Sequence, residues 1–413
     1  MQIHFDENTE LFQAVLKICR HIHNAGGHAV LVGGCVRDAI QQNPCKDFDL
    51  ECYNISAERI QEVLQNDFKL DLVGMSFGVM KVHHYDIDIA LPRRENKTGA
   101  GHRGFMVDCI PDLTYAEAAA RRDFTVNAMM YDPLTQEFID PWNGKQDLEQ
   151  KVLRHVSEHF SEDPLRVLRA MQFAARFDFT VAPETIVLCR QIPQNELPVD
   201  RIGPEWDKLL LKGKNIAVGI DFLQQCGWLP AELQGIPLQP LGQIPGQRTG
   251  NEKEDRILAL TVLCHTLPDN AIRSLLDRLY RLNGLADTII AMTTCHSSLQ
   301  QSHKISARKM RRMALVVKNI DLLLRASACC APERHHLREQ IRTQAEALGI
   351  LYTPPIPLLQ GRDLILHGLH PGKTMGELLK KAFEAQLDGE FSDHAAAIEW
   401  LQKELQNGEY DFS

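Results

Sequence analysis

The sequence predicts an α+β protein in which a small α/β head is followed by a long all-helical remainder. Three observations carry this. Within the first hundred residues, short apolar runs bounded by glycine alternate with helical spacing. From about Thr114 onward the apolar spacing is helical, and no internal repeat of fixed period is evident. A chain of 413 residues also leaves room for a sizeable core, in roughly two to four domains.

The elements follow in order. Leu11 to Ile22 has helical apolar spacing, and Gly26-Gly27 ends it. His28 to Val32 is a short apolar run between glycines, hence a buried strand. A helix starts after Gly33-Gly34, over Val36 to Gln42, and Phe48 to Tyr53 alternates as a second strand. Ser56 caps a helix reaching Leu64. Phe77 to Val82 and Asp86 to Leu91 read as strands joined by a tight turn at residues 83–85. Arg93 to Gly104 is glycine-rich, basic and without hydrophobic period, so a mobile loop is expected. Pro164 to Phe177 is strongly amphipathic, and Gly235 to Gly250 is a proline- and glycine-rich loop. Helical patterns follow over 257–264, 271–282, 286–292, 309–324 and 336–348. Thr353-Pro-Pro-Ile-Pro357 is a stiff break, and a last helical unit covers 375–387 and 394–405.

Composition excludes several classes. Hydrophobic residues at 44% and charged residues at 24% fit a globular chain. No stretch approaches the ~18 apolar residues of a membrane span, and the first ten residues show no secretory pattern. Eleven cysteines without a C-x-x-C pair suit a reduced, cytoplasmic protein. Cys329-Cys330 with His335-His336 reads as the end of one helix and the start of another rather than a metal site. The net charge of −9 counts, taken alone, against a nucleic-acid partner.

Four blocks carry chemistry. Gly33-Gly34-Cys35-Val36-Arg37-Asp38 runs from a strand into a helix, where glycines admit a phosphate and Arg37 adds a charged donor. Asp47 and Asp49, at i and i+2, project from one strand face, an arrangement that suits Mg²⁺. Asp86 and Asp88 form a similar pair. Asp88, nearer its strand centre, is the preferred third carboxylate for two-metal phosphoryl or nucleotidyl transfer. Arg121-Arg122-Asp123-Phe124-Thr125-Val126-Asn127 offers two arginines for a triphosphate and an aspartate for a ribose hydroxyl. In Ser161-Glu162-Asp163-Pro164-Leu165-Arg166-Val-Leu-Arg169, Ser161 and Asp163 can cap a helix. Asp163, Arg166 and Arg169 also share roughly one helix face. A carboxylate and a guanidinium there suit the Watson–Crick edge of C or A, which pairs an amino group with an acceptor nitrogen.

These blocks, in this order, resemble the class II tRNA nucleotidyltransferase and bacterial poly(A) polymerase family. The matching stretches are Leu31-Val-Gly-Gly-Cys-Val-Arg-Asp38, Lys46-Asp-Phe-Asp49, Arg121-Arg-Asp-Phe-Thr-Val-Asn-Ala128 and Glu162-Asp-Pro-Leu-Arg166. Asp140 to Leu148 and Val152 to Ser157 are similar too. The resemblance is specific over about residues 28–180 and loose beyond. It implies a polymerase-β-like nucleotidyltransferase head over 1–155, then an elongated helical neck over 156–235, a body over 236–350 and a tail over 351–413. It implies Mg²⁺ on Asp47 and Asp49, and the triphosphate at Gly33, Gly34 and Arg37. Arg122 and Asn127 would bind the nucleotide, with Asp123 on its ribose. Asp163 and Arg166 would select CTP or ATP without a template, supported by Arg169. The product would be the CCA end of tRNA.

Long relatives carry a His-Asp phosphohydrolase site in the body. Here Leu263-Cys-His-Thr266 puts a threonine where the metal-binding aspartate would stand, so no such activity is expected. For tRNA, the densest basic stretch offers Arg308, Lys309, Arg311 and Arg312 as phosphate contacts, with a solvated helix start as the alternative. Poly(A) polymerase shares the four blocks, but this chain ends acidic rather than basic. CC-only or A-only addition stays open, and the intact aspartate pair speaks against a catalytically silent RNA-binding scaffold.

Overall fold

The computed structural model describes all residues except 1, 2, 4, 72–78, 98–104, 111, 195–196, 303 and 408–413. The chain divides into two compact units, Met1–Leu229 and Pro230–Ser413.

The first unit opens with α1 (Glu10–Asn24), whose first turn is capped by the Thr9 side chain accepting from Phe12 N–H, a contact worth about 1 kcal/mol. Then come β1 (His28–Val32), α2 (Gly34–Ile40), β2 (Phe48–Tyr53) and α3 (Ala57–Leu64), the last capped by Ser56 as expected. β3 (Leu70–Asp71), β4 (Val79–Val82), β5 (Ile87–Ala90), β6 (Arg93–Lys97), β7 (Phe105–Cys109) and α4 (Tyr115–Ala120) follow. After them run β8 (Met130–Tyr131), β9 (Phe138–Ile139), α5 (Gly144–Gln150) and β10 (Val152–Leu153). The unit ends with α6 (Leu165–Phe177), β11 (Thr180–Val181), α7 (Pro183–Gln191), α8 (Val199–Lys212) and α9 (Ile216–Gln225).

Seven strands form one mixed sheet in the order β3-β4-β5-β2-β1-β8-β9. β2 pairs parallel with β5 and antiparallel with β1. Strand alternation assigns the faces. Phe48 and Leu50 are buried on one face. The opposite face carries Val30, Val32, Tyr53 and Met130, packed with Ala118 and Ala119 of α4. That second face also carries Asp49, Glu51 and Asp88, because Glu51 pairs with Val30 and Asp49 pairs with Asp88. α6 packs against α8 and α9 in the helical part of the unit.

In this first unit, two features depart from expectation. Residues 93–97 are not loop but β6, antiparallel to β7 as a separate hairpin; residues 98–104 of the expected mobile loop lie outside the described residues. β8, β9, β10 and β11 interrupt the stretch read as wholly helical, and β11 falls within the expected neck. Each is two residues long, too short to show alternation.

The second unit is helical among the described residues. It comprises α10 (Glu252–Cys264), α11 (Asp269–Leu279), α12 (Leu285–Gln300), α13 (Ala307–Val317) and α14 (Ile320–Cys330). α15 (His335–Ala347), α16 (Gly361–Leu366), α17 (Lys373–Asp388) and α18 (His394–Asn407) complete it. The expected single helix over 309–324 is split. Lys318 turns left-handed at φ +65° and Asn319 caps α14 through Leu322 N–H. The pattern stays apolar across the break because both helices feed one core. α16 to α18 enclose a small core of Leu364, Met375, Leu378, Ala382, Phe391 and Leu401. No helix among the described residues is long and apolar enough to cross a membrane.

Candidate active site

The turn from β1 into α2 is Gly33-Gly34. Gly33 sits at φ +77°, where L side chains are strained. A Cβ on it would lie 3.3 Å from Arg122 Nη1 and 3.9 Å from both Asp49 Oδ2 and the Asn127 carbonyl oxygen. A guanidinium and a carboxylate thus both border the space that a side chain would fill.

Asp49 and Asp88 stand side by side on the parallel strands β2 and β5. Desolvation raises the Asp49 carboxyl above the usual carboxylate range; Arg122 opposes this, and the charges of Asp88 and Asp47 add to it. Lys81 Nζ approaches Asp88 Oδ2 at 3.3 Å. Asp47 is exposed just before β2. A group of three or more His, Cys, Asp or Glu able to cage a metal is absent among the described residues. Mg²⁺ in nucleotide enzymes uses one or two carboxylates and takes its other ligands from phosphates and water. The hard oxygen donors fit such an ion, and so does a raised Asp49 carboxyl, lifted first by desolvation and further by the neighbouring carboxylates.

Arg122 is aimed from below. Its Nη2 donates to Glu51 Oε2 at 2.7 Å, and Tyr53 Oη donates to Glu51 Oε1 at 2.8 Å. Glu51 is 1% exposed. Burial first, then the Glu51 charge and hydrogen bond, push the Tyr53 hydroxyl pKa up, so it stays a donor.

A second chain of contacts links α2, the 3₁₀ turn at Thr125–Asn127 and α6. Arg37 is 5% exposed. Its Nη1 donates to Asn127 Oδ1 at 2.5 Å, its Nε and Nη2 donate to Asp38, and its guanidinium lies 4.5 Å from the Phe177 ring centroid. Asn127 Nδ2 donates to Asp123 Oδ1 at 3.0 Å, and Arg169 Nε donates to Asp123 Oδ2 at 2.8 Å. Burial works to raise the Asp123 carboxyl, but the Arg169 charge and the donors Asn127, Arg169 and Phe124 N–H hold it below the usual value. Arg37 thus underpins the turn with most of its donors committed inside the protein.

The third group lies at the start of α6. Asp163 Oδ1 accepts from Leu165 N–H at 3.1 Å, although the N-cap position of α6 is Pro164 rather than Asp163. Ser161, also expected to cap the helix, instead donates to the Glu158 carbonyl. Arg201 on α8 holds both oxygens of Asp163, at 3.1 and 2.8 Å. Arg166 donates to the carbonyls of His159 and Arg121, both at 2.6 Å. Through Arg166 and Arg169, the start of α6 is tied to the Arg121–Asp123 block.

In the second unit, Arg308 Nε meets Asp388 at 2.7 Å, and Arg312 Nη2 meets Glu384 and Asp388 at 2.7 and 2.9 Å. Arg311 Nη1 lies 3.4 Å from the Leu387 carbonyl, and Lys309 Nζ lies 3.4 Å from Ser302 Oγ. In the same unit, His265 Nδ1 contacts the Val262 carbonyl while Thr266 is exposed. Cys330 ends α14 and His335 begins α15.

Sequence reasoning missed Glu51, Tyr53 and Arg201. The first two were visible in principle, because they extend the Asp47, Asp49 alternation along one strand face. Arg201 meets Asp163 across 38 residues with no local signal.

Comparison with known proteins places this geometry. The family described as "Poly A polymerase head domain" matches residues 29–154, and "tRNA nucleotidyltransferase domain 2 putative" matches residues 250–401. The multifunctional CCA protein of Stenotrophomonas maltophilia (strain R551-3) is 44% identical over 184 residues, 43% of this chain and 44% of that protein. Against several such relatives the chain thus spans less than half of the curated length. The multifunctional CCA protein of Xanthomonas euvesicatoria pv. vesicatoria is 32% identical over 404 residues, 85% of this chain and 96% of that one. In fold, the Bacillus stearothermophilus CCA-adding enzyme, solved in complex with CTP, superposes with a TM-score of 0.69 at 22% identity, over 97% of this chain and 100% of that one. The near-full-length relative and the matched head domain together show that the chain belongs to the family of the multifunctional CCA proteins.

Proposed function

We propose that the protein adds the 3′-terminal CCA to tRNA from CTP and ATP, without a nucleic-acid template and with release of pyrophosphate. One observation carries the reading. The Gly33 turn, empty of a side chain, lies close to both Arg122 Nη1 and Asp49 Oδ2, with Asp88 beside Asp49. This arrangement suits a triphosphate held between a fixed cation and a carboxylate pair.

In this reading the tRNA 3′-hydroxyl attacks the α-phosphorus of the nucleotide. The new oxygen–phosphorus bond forms as the bond to the β-phosphate bridge breaks; pyrophosphate leaves, and the hydroxyl proton passes to solvent. Asp47, Asp49 and Asp88 supply the carboxylates of the catalytic centre, and Asp47 and Asp49 hold Mg²⁺. When bound, that ion neutralises charge on the phosphates and makes the attacking hydroxyl more acidic. Gly33 and Gly34 give the triphosphate access and Arg122 pairs with it, while Arg37 and Asn127 keep the turn in place. Asp123, held ionised by Arg169, accepts from the ribose. Asp163 and Arg166 read the base edge: both C and A offer an amino group to a carboxylate and a ring nitrogen to a guanidinium. Lys309, with Arg308, Arg311 and Arg312, contacts tRNA phosphates. The ten cysteines whose side chains the structure describes are free, which fits a cytoplasmic place of action.

The test is incubation with tRNA lacking CCA, Mg²⁺ and each nucleotide separately and in sequence. Addition of two C residues followed by one A supports the reading. ATP extension beyond one residue would make the protein a poly(A) polymerase, arrest after CC or acceptance of A alone would make it a partial enzyme, and no incorporation overturns the proposal.

A further inference from the structure

We infer that Glu51 is a positioning residue for nucleotide binding, which fixes the Arg122 guanidinium over the Gly33 turn. The inference rests on the nucleotidyl-transfer reading above and adds a residue to it.

Glu51 is a buried carboxylate. It lies inside β2, between Val30 of β1 and Ala90 of β5, in the middle of the seven-stranded sheet. Such a position favours an apolar residue. Burying a carboxylate there carries a desolvation penalty that a paired arginine offsets only in part, and apolar replacements of buried ion pairs are often neutral or stabilising. Stability therefore gives little reason for the pair.

Its geometry gives a better one. Glu51 uses one oxygen for Tyr53 and the other for Arg122 Nη2. The Tyr53 hydroxyl fixes the carboxylate, and the carboxylate fixes the guanidinium. Arg122 Nη1 is then left facing the space over Gly33, 3.3 Å from the missing Cβ. A guanidinium paired this way has one of its two terminal nitrogens anchored and the other presented, which spares the incoming phosphate the cost of ordering a free arginine. The same anchoring keeps Arg122 from closing on Asp49, the nearest carboxylate across the turn. Without Glu51, that carboxylate becomes the available partner, and the two groups needed by the triphosphate and its cation neutralise each other.

The inference makes a claim about coupling, so a double-mutant cycle tests it. ATP and CTP binding to the full chain is measured by calorimetry with Mg²⁺ for the wild type, Glu51→Gln, Arg122→Gln and the double variant, with KM and kcat of incorporation alongside. Glu51→Gln should weaken both nucleotides alike, by roughly tenfold to a hundredfold, the range seen when an outer-shell partner of a site ligand is lost. KM for tRNA and the preference for C and A over U and G should not move, because Arg122 reads no base. In the double variant, loss of Glu51 should add nothing to loss of Arg122. Additive losses, an unchanged nucleotide KM, or a shift in tRNA KM would overturn the inference. The apolar pair Glu51→Leu with Arg122→Met controls for folding: it should melt no lower than wild type yet bind nucleotide as weakly as Arg122→Gln. A large fall in its melting temperature would instead make the ion pair a structural brace and sink the claim. Failure of the parent reading looks different, since the wild type itself would then bind no nucleotide.

Discussion

Arginines in the two units are held in contrasting ways. In the first unit Arg122 is fixed by Glu51 and Arg169 by Asp123, carboxylates that are 1% and 8% exposed. In the second, Arg308 and Arg312 pair with Asp388 and Glu384, acids whose side chains are 29% and 50% exposed. A buried carboxylate holds its partner in one geometry and leaves it little choice, whereas a surface pair is weak, screened by salt and easily exchanged for another anion. The first arrangement suits a nucleotide that must be placed to a fraction of an ångström. The second suits a long polyanion that must bind and move.

The largest test of this contrast is at the carboxylates themselves. Asp49→Ala and Asp47→Ala should each abolish incorporation while the fold is kept, since neither side chain is buried. Loss of several kcal/mol of charge stabilisation corresponds to a roughly thousandfold slower reaction or worse. Incorporation assays beside circular dichroism read both sides. Retained turnover in either variant would refute the role given to that residue.

A second test strikes the base-reading group, which stands between the two extremes. Asp163 and Arg201 are each partly exposed, with side chains 30% and 24% accessible. Arg201→Lys keeps the charge but loses the two-pronged grip on both oxygens. It should reduce discrimination of CTP and ATP against UTP and GTP by about tenfold, as a charged hydrogen bond of ~1.5 kcal/mol implies. Asp163→Ala should do more damage to nucleotide choice while tRNA binding stays near normal. Competition assays with all four nucleotides decide it, and an unchanged preference in Asp163→Ala would remove the residue from base selection.

How much of this was legible beforehand depends on distance in sequence. His28–Val32 and Phe48–Tyr53 were readable to the residue because alternation and flanking glycines are local signals. The Asp47, Asp49 spacing and the Arg121–Asn127 block were readable for the same reason. The pairings that hold them were not: Glu51 meets Arg122 across 71 residues and Arg201 meets Asp163 across 38. Such contacts arise only when the sheet and the α6–α8 packing bring separate elements together. The two-residue strands β8 to β11 were illegible because two residues carry no period. The tying of α13's arginines to α17 was illegible because a surface acid 72 or 76 residues away leaves no mark on the basic run.

A third test uses pH. Asp49 has its carboxyl raised in the folded protein, so folding disfavours its ionised form. Its contribution therefore runs opposite to that of a salt-bridged aspartate: stability is lost as pH rises through the folded value. Asp49→Asn should raise the melting temperature only slightly at neutral pH without Mg²⁺, because the residue is exposed and water screens its charge, and the gain should vanish below the ordinary carboxylate range. Asp123 has the opposite sign. Its carboxyl is lowered by Arg169 and its hydrogen-bond donors, so its stabilisation is present above the unfolded value and disappears as pH falls through the folded one. Asp123→Asn should lower the melting temperature at neutral pH. Melts of the two variants from acid to neutral pH should diverge in opposite directions from wild type; parallel curves would show that burial alone governs both.

The smallest effect is expected on α13, and it is the one that most directly probes the contrast between the units. If the surface pairs merely park Arg308 and Arg312 until a phosphate displaces the acids, removing the shared acid should help tRNA bind. Asp388 meets both arginines, so Asp388→Asn releases Arg308 and leaves Arg312 paired with Glu384 alone. Affinity for tRNA should rise severalfold at low salt, and the dependence of log affinity on log salt should steepen by roughly one as a further counterion is released. Lys309→Glu should act in reverse, flattening the slope by about one. Filter binding across a salt series measures both. If Asp388→Asn leaves affinity and slope unchanged while Lys309→Glu does the same, α13 is a solvated helix and the phosphate contacts lie elsewhere. If Asp388→Asn weakens binding, the pairs with α17 are a fixed brace that orients the helix, and the second unit then works by the same principle as the first.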